Sequence, residues 1–227
     1  GSGDFWFMFE AMNRIALPLF ILFLFAGQFI FAQKVSFENE VRQISAKYDS
    51  LGWKQGSTLF TGSSTIRMWS KLQETYPTKN LINTGFGGSK AADLERFLFP
   101  LVIKFDPARV FIYEGDNDIW AGVEVADILT SLNNIVTRIH LVNPATEIFL
   151  IGAKPSPSRW DKKANYQIFN QKLSEYCLAK ENVEFVDTWK VLTHPDGSPR
   201  PELYIQDQLH LNQDGYLIWG EIFKKFF

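Results

Sequence analysis

Short apolar runs alternate along the chain with longer stretches in which apolar residues recur every three or four positions. The short runs predict strands at 57–61, 81–84, 109–113, 147–152 and 183–187. The run ArgValPheIleTyr at 109–113 is rich in β-favouring residues. The unbroken apolar run at 147–152 has the character of a strand buried on both faces. The longer stretches predict helices. Residues 64–75 place Ile66, Trp69 and Leu72 on one side, and 90–103 run through Leu94, Phe97 and Leu101. Residues 123–142 repeat through Val125, Ile128, Leu132, Ile135 and Ile139. The stretch 161–180 turns Ile168, Leu173 and Cys177 inward, and 212–226 closes the chain with Asn212 as N-cap. A leading helix within 34–56, through Val41, Ile44 and Tyr48, is expected to pack across the sheet. Strands alternating with helices in this way predict an α/β, doubly wound parallel sheet. No repeat, low-complexity tract or linker interrupts 33–227, so one domain is expected there. The connections read as short, with no lid-like insertion.

The first 32 residues break the pattern. Eight of the 21 Phe residues lie there, and Ile15 to Ala32 carries no charge. Arg14 stands just before this apolar stretch and Met12 two residues earlier, which matches a secretory signal peptide over 12–32 with cleavage after Ala32. The alternative is an uncleaved membrane anchor, for which an 18-residue apolar stretch is near the lower limit of about 17 residues. Residues 1–11 read as a tag or upstream sequence. The expectation is therefore an exported protein, periplasmic or extracellular, that meets a membrane only through this segment if it is retained. The formal net charge of the whole chain is -2, which gives no electrostatic reason to expect nucleic acid as a partner. A single cysteine, Cys177, excludes a disulfide within the chain and a four-cysteine metal site.

In an open α/β sheet, ligands bind beyond the carboxyl ends of the strands. Here those ends are followed by Gly62-Ser63-Ser64-Thr65, by Gly85-Phe86-Gly87-Gly88-Ser89 and by Glu114-Gly115-Asp116-Asn117-Asp118. Asp207-Gln208-Leu209-His210 stands just before the last helix. Each piece is ordinary alone, since a Ser after a strand usually caps a helix and a Gly pair usually turns the chain. Together they supply what acyl transfer needs. A Ser hydroxyl requires a base, His is the natural one near neutrality, and a carboxylate must fix the His tautomer. Ser64, His210 and Asp207 can fill those roles. The backbone N–H groups of Ser64 and Gly88 and the side-chain amide of Asn117 can hold an oxyanion. Gly88 suits this because a missing Cβ lets a ligand approach the backbone. Of the three histidines, His140 falls late in a predicted helix, at its solvated end, and His194 sits in a Pro-rich loop. Only His210 has an Asp three residues before it.

These four blocks, in this order, resemble the GDSL esterases, also called SGNH hydrolases, from about residue 57 to 227. Ser64, Gly88, Asn117 and His210 match the four residues that give the family its second name. One departure is Ser63, where the family often has Asp before the nucleophile. The GlySerSer form resembles a recognised subgroup of the family, and the segment at 154–160 is similar to segments in members resembling platelet-activating-factor acetylhydrolases and carbohydrate acetylesterases. The resemblance implies a three-layer α/β/α sandwich with a flavodoxin-like five-stranded parallel sheet. It also implies no metal, no cofactor, and ester hydrolysis through an acyl-Ser64 intermediate, with acetyl the first acyl group to expect.

The alcohol portion is less legible. LysProSerProSerArgTrp (154–160) follows the fourth strand, so Arg159 and Trp160 are candidates for contact with a small-molecule or glycan ester. The other reading packs Trp160 over the next helix and pairs Arg159 with Asp161 or another acid. Trp120 is a second candidate wall, and Ser63 and Asp116 complete the candidate substrate-binding set. Asp116 and Asp118 also read as groups that orient Asn117 or its loop, the other reading being a cap on the following helix, favoured for Asp118; Tyr166 and Asn170 read as helix-face residues. Other classes fit less well. Gly85-Phe86-Gly87-Gly88 lacks the third Gly of a dinucleotide fingerprint and follows the second strand. No GxxxxGK loop is present, and Asp116-Asn117-Asp118 lacks the later ligands of a calcium loop. A lysophospholipase or thioesterase, or a non-catalytic glycan- or lipid-binding protein on the same fold, remains as an alternative.

Overall fold

The computed structural model describes residues 37–227. The proposed signal or anchor segment, 12–32, lies outside the described residues. Among those described, no helix is long and apolar enough to cross a membrane. The chain divides into two units, Gly1–Glu40 and Val41–Phe227, and all five strands belong to the second.

The strands are β1 (Thr58–Gly62), β2 (Leu81–Asn83), β3 (Arg109–Tyr113), β4 (Glu147–Ile151) and β5 (Val183–Val186). All pair in parallel, in the order β2-β1-β3-β4-β5. The chain therefore forms the expected α/β sheet flanked by helices, with each strand within a residue or two of its sequence position. Register puts Phe60 beside Phe111 and Phe111 beside Phe149. Their rings stack at 4.4 and 4.6 Å, a ladder across the middle of one sheet face. Trp219 and Phe223 of the last helix, α9 (Gln213–Phe223), and Trp69 close over that ladder, all three buried. Alternate residues Leu59, Val110, Ile148 and Leu150 point to the opposite face, also buried. Much of the core is aromatic, which is where several of the Phe residues after position 32 are used.

The helices depart from the sequence expectations in instructive ways. Residues 37–51 are helical (α1), and Tyr48 from this helix exchanges hydrogen bonds with the backbone of Asn83. Tyr48 thus meets the sheet at β2, its edge strand. The single helix expected at 64–75 is two short ones, α2 (Ser64–Arg67) and α3 (Leu72–Thr75). Ile66, Trp69 and Leu72 are still all buried, by a chain that bends between them. The helix expected at 90–103 breaks into α4 (Ala91–Arg96) and α5 (Leu98–Leu101). Pro100 has no N–H and its ring crowds the carbonyl of Arg96, so the helix cannot run through. A short α6 (Asp116–Trp120) precedes α7 (Val125–Val142). In α8 (Lys163–Leu178) the inward residues are Tyr166, Phe169, Leu173 and Cys177, and Ile168 is 52% exposed. His140 is not freely solvated, since its Nε2 lies 3.0 Å from the Thr146 carbonyl.

The connection between β5 and α9 is long, contrary to the expectation of short links throughout. It is a fastened loop. A bridge pairs Tyr204 with Leu211, the Tyr204 hydroxyl donates to the Pro155 carbonyl, and Asn212 Nδ2 donates to the Glu202 carbonyl at 2.7 Å. Asn212 also caps α9 as expected, its side chain accepting from Gly215 N.

Candidate active site

The strand ends assemble three loops and the long connection at one edge. Ser64 is the first residue of α2, directly after β1, so its N–H belongs to a helix start without a partner four residues back. Ser63 N donates to the Tyr113 carbonyl and Phe86 N donates to the Gly62 carbonyl, which fasten the β1 end to the β3 and β2 loops.

Ser64 Oγ lies 2.9 Å from His210 Nε2. On the other side of the ring, His210 Nδ1 lies 2.6 Å from Asp207 Oδ2. The second oxygen of Asp207 accepts the backbone N–H groups of Leu209 and His210, both at 2.9 Å. The spacing of three thus folds Asp207 and His210 into one tight turn, with Gln208 in the left-handed region at φ 55. Ser158 N donates to the Gln208 carbonyl, so the β4 loop props the turn from outside. Burial pushes the Asp207 carboxyl up, but the hydrogen bonds from His210 and Leu209 outweigh it and hold it below the usual range.

The β2 and β3 loops are knitted through Ser89. Its hydroxyl donates to Glu114 Oε1 at 2.7 Å, and its carbonyl accepts from Asn117 Nδ2 at 2.9 Å. Gly88 stands next to this junction, exposed, with φ +67, and an added Cβ there meets nothing within 4 Å. The glycine is therefore explained by its backbone conformation rather than by crowding. Asp118 accepts from Ala91 N and Gly115 N, so it ties two loops together in addition to capping its own turn. Burial raises its carboxyl to about 6.

Behind Asn117 lies a buried ion cluster. Asp116 Oδ1 accepts from Arg159 Nη1 at 2.6 Å and from the Tyr166 hydroxyl at 2.9 Å. Its Oδ2 accepts from the Tyr113 hydroxyl at 2.8 Å and from Lys154 Nζ at 3.2 Å. Burial opposes ionisation of Asp116, but Lys154 and Arg159 prevail and hold its carboxyl far below the usual range. Arg159 Nη2 also donates to Asn117 Oδ1 at 3.0 Å.

Several expectations need correction here. Asp116 is 3% exposed and Ser63 2%, so neither side chain stands on the open rim where substrate contact was expected. Arg159 pairs with Asp116, not Asp161. Tyr166 is not a mere helix-face residue but a buried support of Asp116. Asn170 likewise holds the β4 loop, its side chain exchanging hydrogen bonds with the backbone of Ala153. Trp160 stacks on Trp189, ring centroids 6.0 Å apart. Trp120 is 45% exposed beneath the Arg159 and Lys162 cations. Lys154, Glu114 and Trp189 escaped the sequence reading. Lys154 carried one usable signal, a lone charge directly after an apolar strand end. Among the described residues no group of three or more potential metal ligands forms.

A cavity of about 450 Å³ lies nearby, lined by Met68, Trp69, Ile205, Leu211, Tyr216 and Leu217 among others. It flanks the His210 turn without being lined by Ser64 or His210 themselves.

The model of the GDSL-like Lipase/Acylhydrolase family matches residues 49–218. No curated protein matches the chain. Among solved structures, the chain is similar to a Streptococcus pneumonia protein named for platelet activating factor. The identity is 26%, with 87% of this chain and 97% of that one covered and a TM-score of 0.75. It is also similar to a GDSL-like lipase from Bacteroides thetaiotaomicron, at 18% identity over 82% and 95% of the two chains, TM-score 0.71. A catalytic mutant of an acetylxylan esterase from Geobacillus stearothermophilus aligns at 18% identity over 76% and 94%, TM-score 0.62.

Proposed function

The chain belongs to the GDSL-like lipase/acylhydrolase family and is an ester-hydrolysing enzyme; we propose that it cleaves small acyl esters, acetyl first, through a covalent acyl-Ser64. The observation that carries this is the continuous hydrogen-bonded line from Ser64 Oγ through the His210 ring to Asp207. His210 Nε2 takes the Ser64 proton as Oγ attacks the ester carbonyl. Asp207 holds the proton on Nδ1, so that Nε2 is the free base, and stabilises the imidazolium that forms. The oxyanion rests on the N–H groups of Ser64 and Gly88 and on Asn117 Nδ2. His210 then protonates the leaving alcohol, and a water activated by the same ring releases the acid.

A glycan ester is the favoured substrate class. Trp120, Trp160 and Trp189 follow three neighbouring strands and are each at least partly exposed, an arrangement suited to sugar rings. The acetylxylan esterase relationship supports the fold of that comparison and is consistent with the acyl size. A second reading, a lysophospholipase or thioesterase with a longer acyl group, draws on the apolar cavity beside Leu211. Export through the 12–32 segment is part of the proposal.

Turnover of p-nitrophenyl acetate by wild type and Ser64→Ala tests the chemistry. Loss of nearly all activity in the variant is expected, and equal rates sink the proposal. Acetylated xylan, acetylated monosaccharides, lysophospholipid and acyl-thioesters compared as substrates separate the two readings.

A further inference from the structure

We propose that Arg159 is a positioning residue that sets which end of the Asn117 side-chain amide faces the reacting carbonyl. This rests on the reading of Asn117 as an oxyanion donor and adds how that donor is aimed.

The two ends of an Asn amide are nearly the same size, so packing alone does not choose between them. Hydrogen-bond partners do. Arg159 has only donors to offer, and its Nη2 faces Asn117 Oδ1 at 3.0 Å. The Ser89 carbonyl has only lone pairs to offer, and it faces Asn117 Nδ2 at 2.9 Å. A flipped amide would set its NH2 against the guanidinium and its oxygen against the carbonyl. Both contacts would then be repulsive. In the observed orientation one Nδ2 hydrogen is used by Ser89 and the other remains for an oxyanion.

The guanidinium is itself fixed. Nη1 donates to Asp116 Oδ1 at 2.6 Å and to the Asp116 carbonyl at 3.2 Å. The plane lies 5.3 Å from the Trp120 ring centroid. Asp116 in turn is anchored from β3, the loop after β4 and α8 by Tyr113, Lys154 and Tyr166. The guanidinium brings its positive charge directly against Asn117 Oδ1. That charge draws electron density toward Oδ1 and makes the Nδ2 hydrogen a stronger donor. The Arg159 side chain is only 10% exposed, which suits a support better than a hook for substrate.

The test is a double-mutant cycle of wild type, Arg159→Ala, Asn117→Ala and the double variant, with kcat and KM measured on p-nitrophenyl acetate. Asn117→Ala should lower kcat roughly 10² to 10³-fold, and Arg159→Ala about tenfold or more with little change in KM. In the Asn117→Ala background the Arg159 effect should fall to within about threefold of unity. Methylguanidinium should restore part of the activity of Arg159→Ala alone. Multiplying losses, or a loss carried by KM, overturn the proposal. If circular dichroism shows that Arg159→Ala does not fold, Arg159→Lys takes its corner, since Lys reaches Asp116 but lacks the planar fork. A second readout is independent of turnover. The ¹⁵N side-chain amide signal of Asn117, identified by its absence in Asn117→Ala, should show two distinct protons in wild type, the one held by the Ser89 carbonyl protected from exchange. That proton should lose its protection in the Arg159 variant, and unchanged protection overturns the proposal. An inactive wild type defeats the esterase reading, and the amide signal still decides the role of Arg159.

Discussion

The Ser64 hydroxyl and the His210 ring stand 2.9 Å apart although 146 residues separate them in the chain. Ser64 reaches that point at the end of β1, in the interior of the sheet. His210 reaches it on a loop that leaves β5 at the sheet's edge and must cross back. The loop is kept there by the Tyr204–Leu211 bridge and by hydrogen bonds to Pro155 and Ser158 of the β4 loop.

Asp207→Asn separates the two duties of that carboxylate. An Asn oxygen still accepts from Leu209 N and His210 N, so the turn should keep its shape. Its NH2 then faces His210 Nδ1 and forces the proton onto Nε2, the wrong side for a base. We expect kcat to fall by up to about 10⁴-fold with the melting temperature little changed. Activity within about threefold of wild type would remove Asp207 from the proposed mechanism.

Gly115→Ala tests how tightly the Asn117 loop is seated. Gly115 has φ +104, and an added Cβ would lie 2.4 Å from the Phe169 ring. Strained backbone and overpacking act together, for a destabilisation of about 1–3 kcal/mol or more. Urea unfolding measures it. A variant as stable as wild type would mean that α6 and α8 can separate freely.

Glu114 predicts an unusual pH dependence of stability. Burial first, and then the Asp118 carboxylate, push its carboxyl well above the usual range. One of its oxygens, Oε2, is buried without a hydrogen-bond partner. Between the ordinary value of 4.5 and its raised folded value, the folded state binds more protons than the unfolded one. Its contribution to stability therefore falls as pH rises through that window. Asp118, raised to about 6, acts in the same direction. Asp116 and Asp207 act oppositely but only at more acid pH, because their folded values are depressed. Melting temperature should thus decline from pH 5 to pH 7, and Glu114→Gln should flatten the decline. An identical slope in the variant would show that Glu114 does not titrate in this window.

The element order, the five strand positions and the parallel sheet were legible because they follow from hydrophobic periodicity, a property of neighbours in sequence. The Asp207–His210 pair was legible for the same reason, since three residues in one turn bring the groups together. Helix phase in α8 was legible at Leu173 and Cys177, both buried as expected, and missed at Ile168. Tyr166, Phe169, Leu173 and Cys177 follow the helical repeat and are buried, whereas Ile168 lies off that face despite being the more apolar residue. The break at Pro100 was missed, because the apolar repeat through Leu94, Phe97 and Leu101 was followed across a residue that cannot continue a helix.

The tertiary structure alone decided which polar groups face one another. Nothing in the spacing of Asp116, Lys154, Arg159 and Tyr166 says that one carboxylate receives all three of the others. That follows from β3 and β4 lying side by side and from α8 bonding to the loops at their ends. Arg159 read equally as a substrate contact beyond the fourth strand and as the partner of a nearby acid such as Asp161. Folding instead buries it against an acid that sequence places 43 residues away. A buried charge is tolerable only where such partners converge, and convergence is a property of the fold.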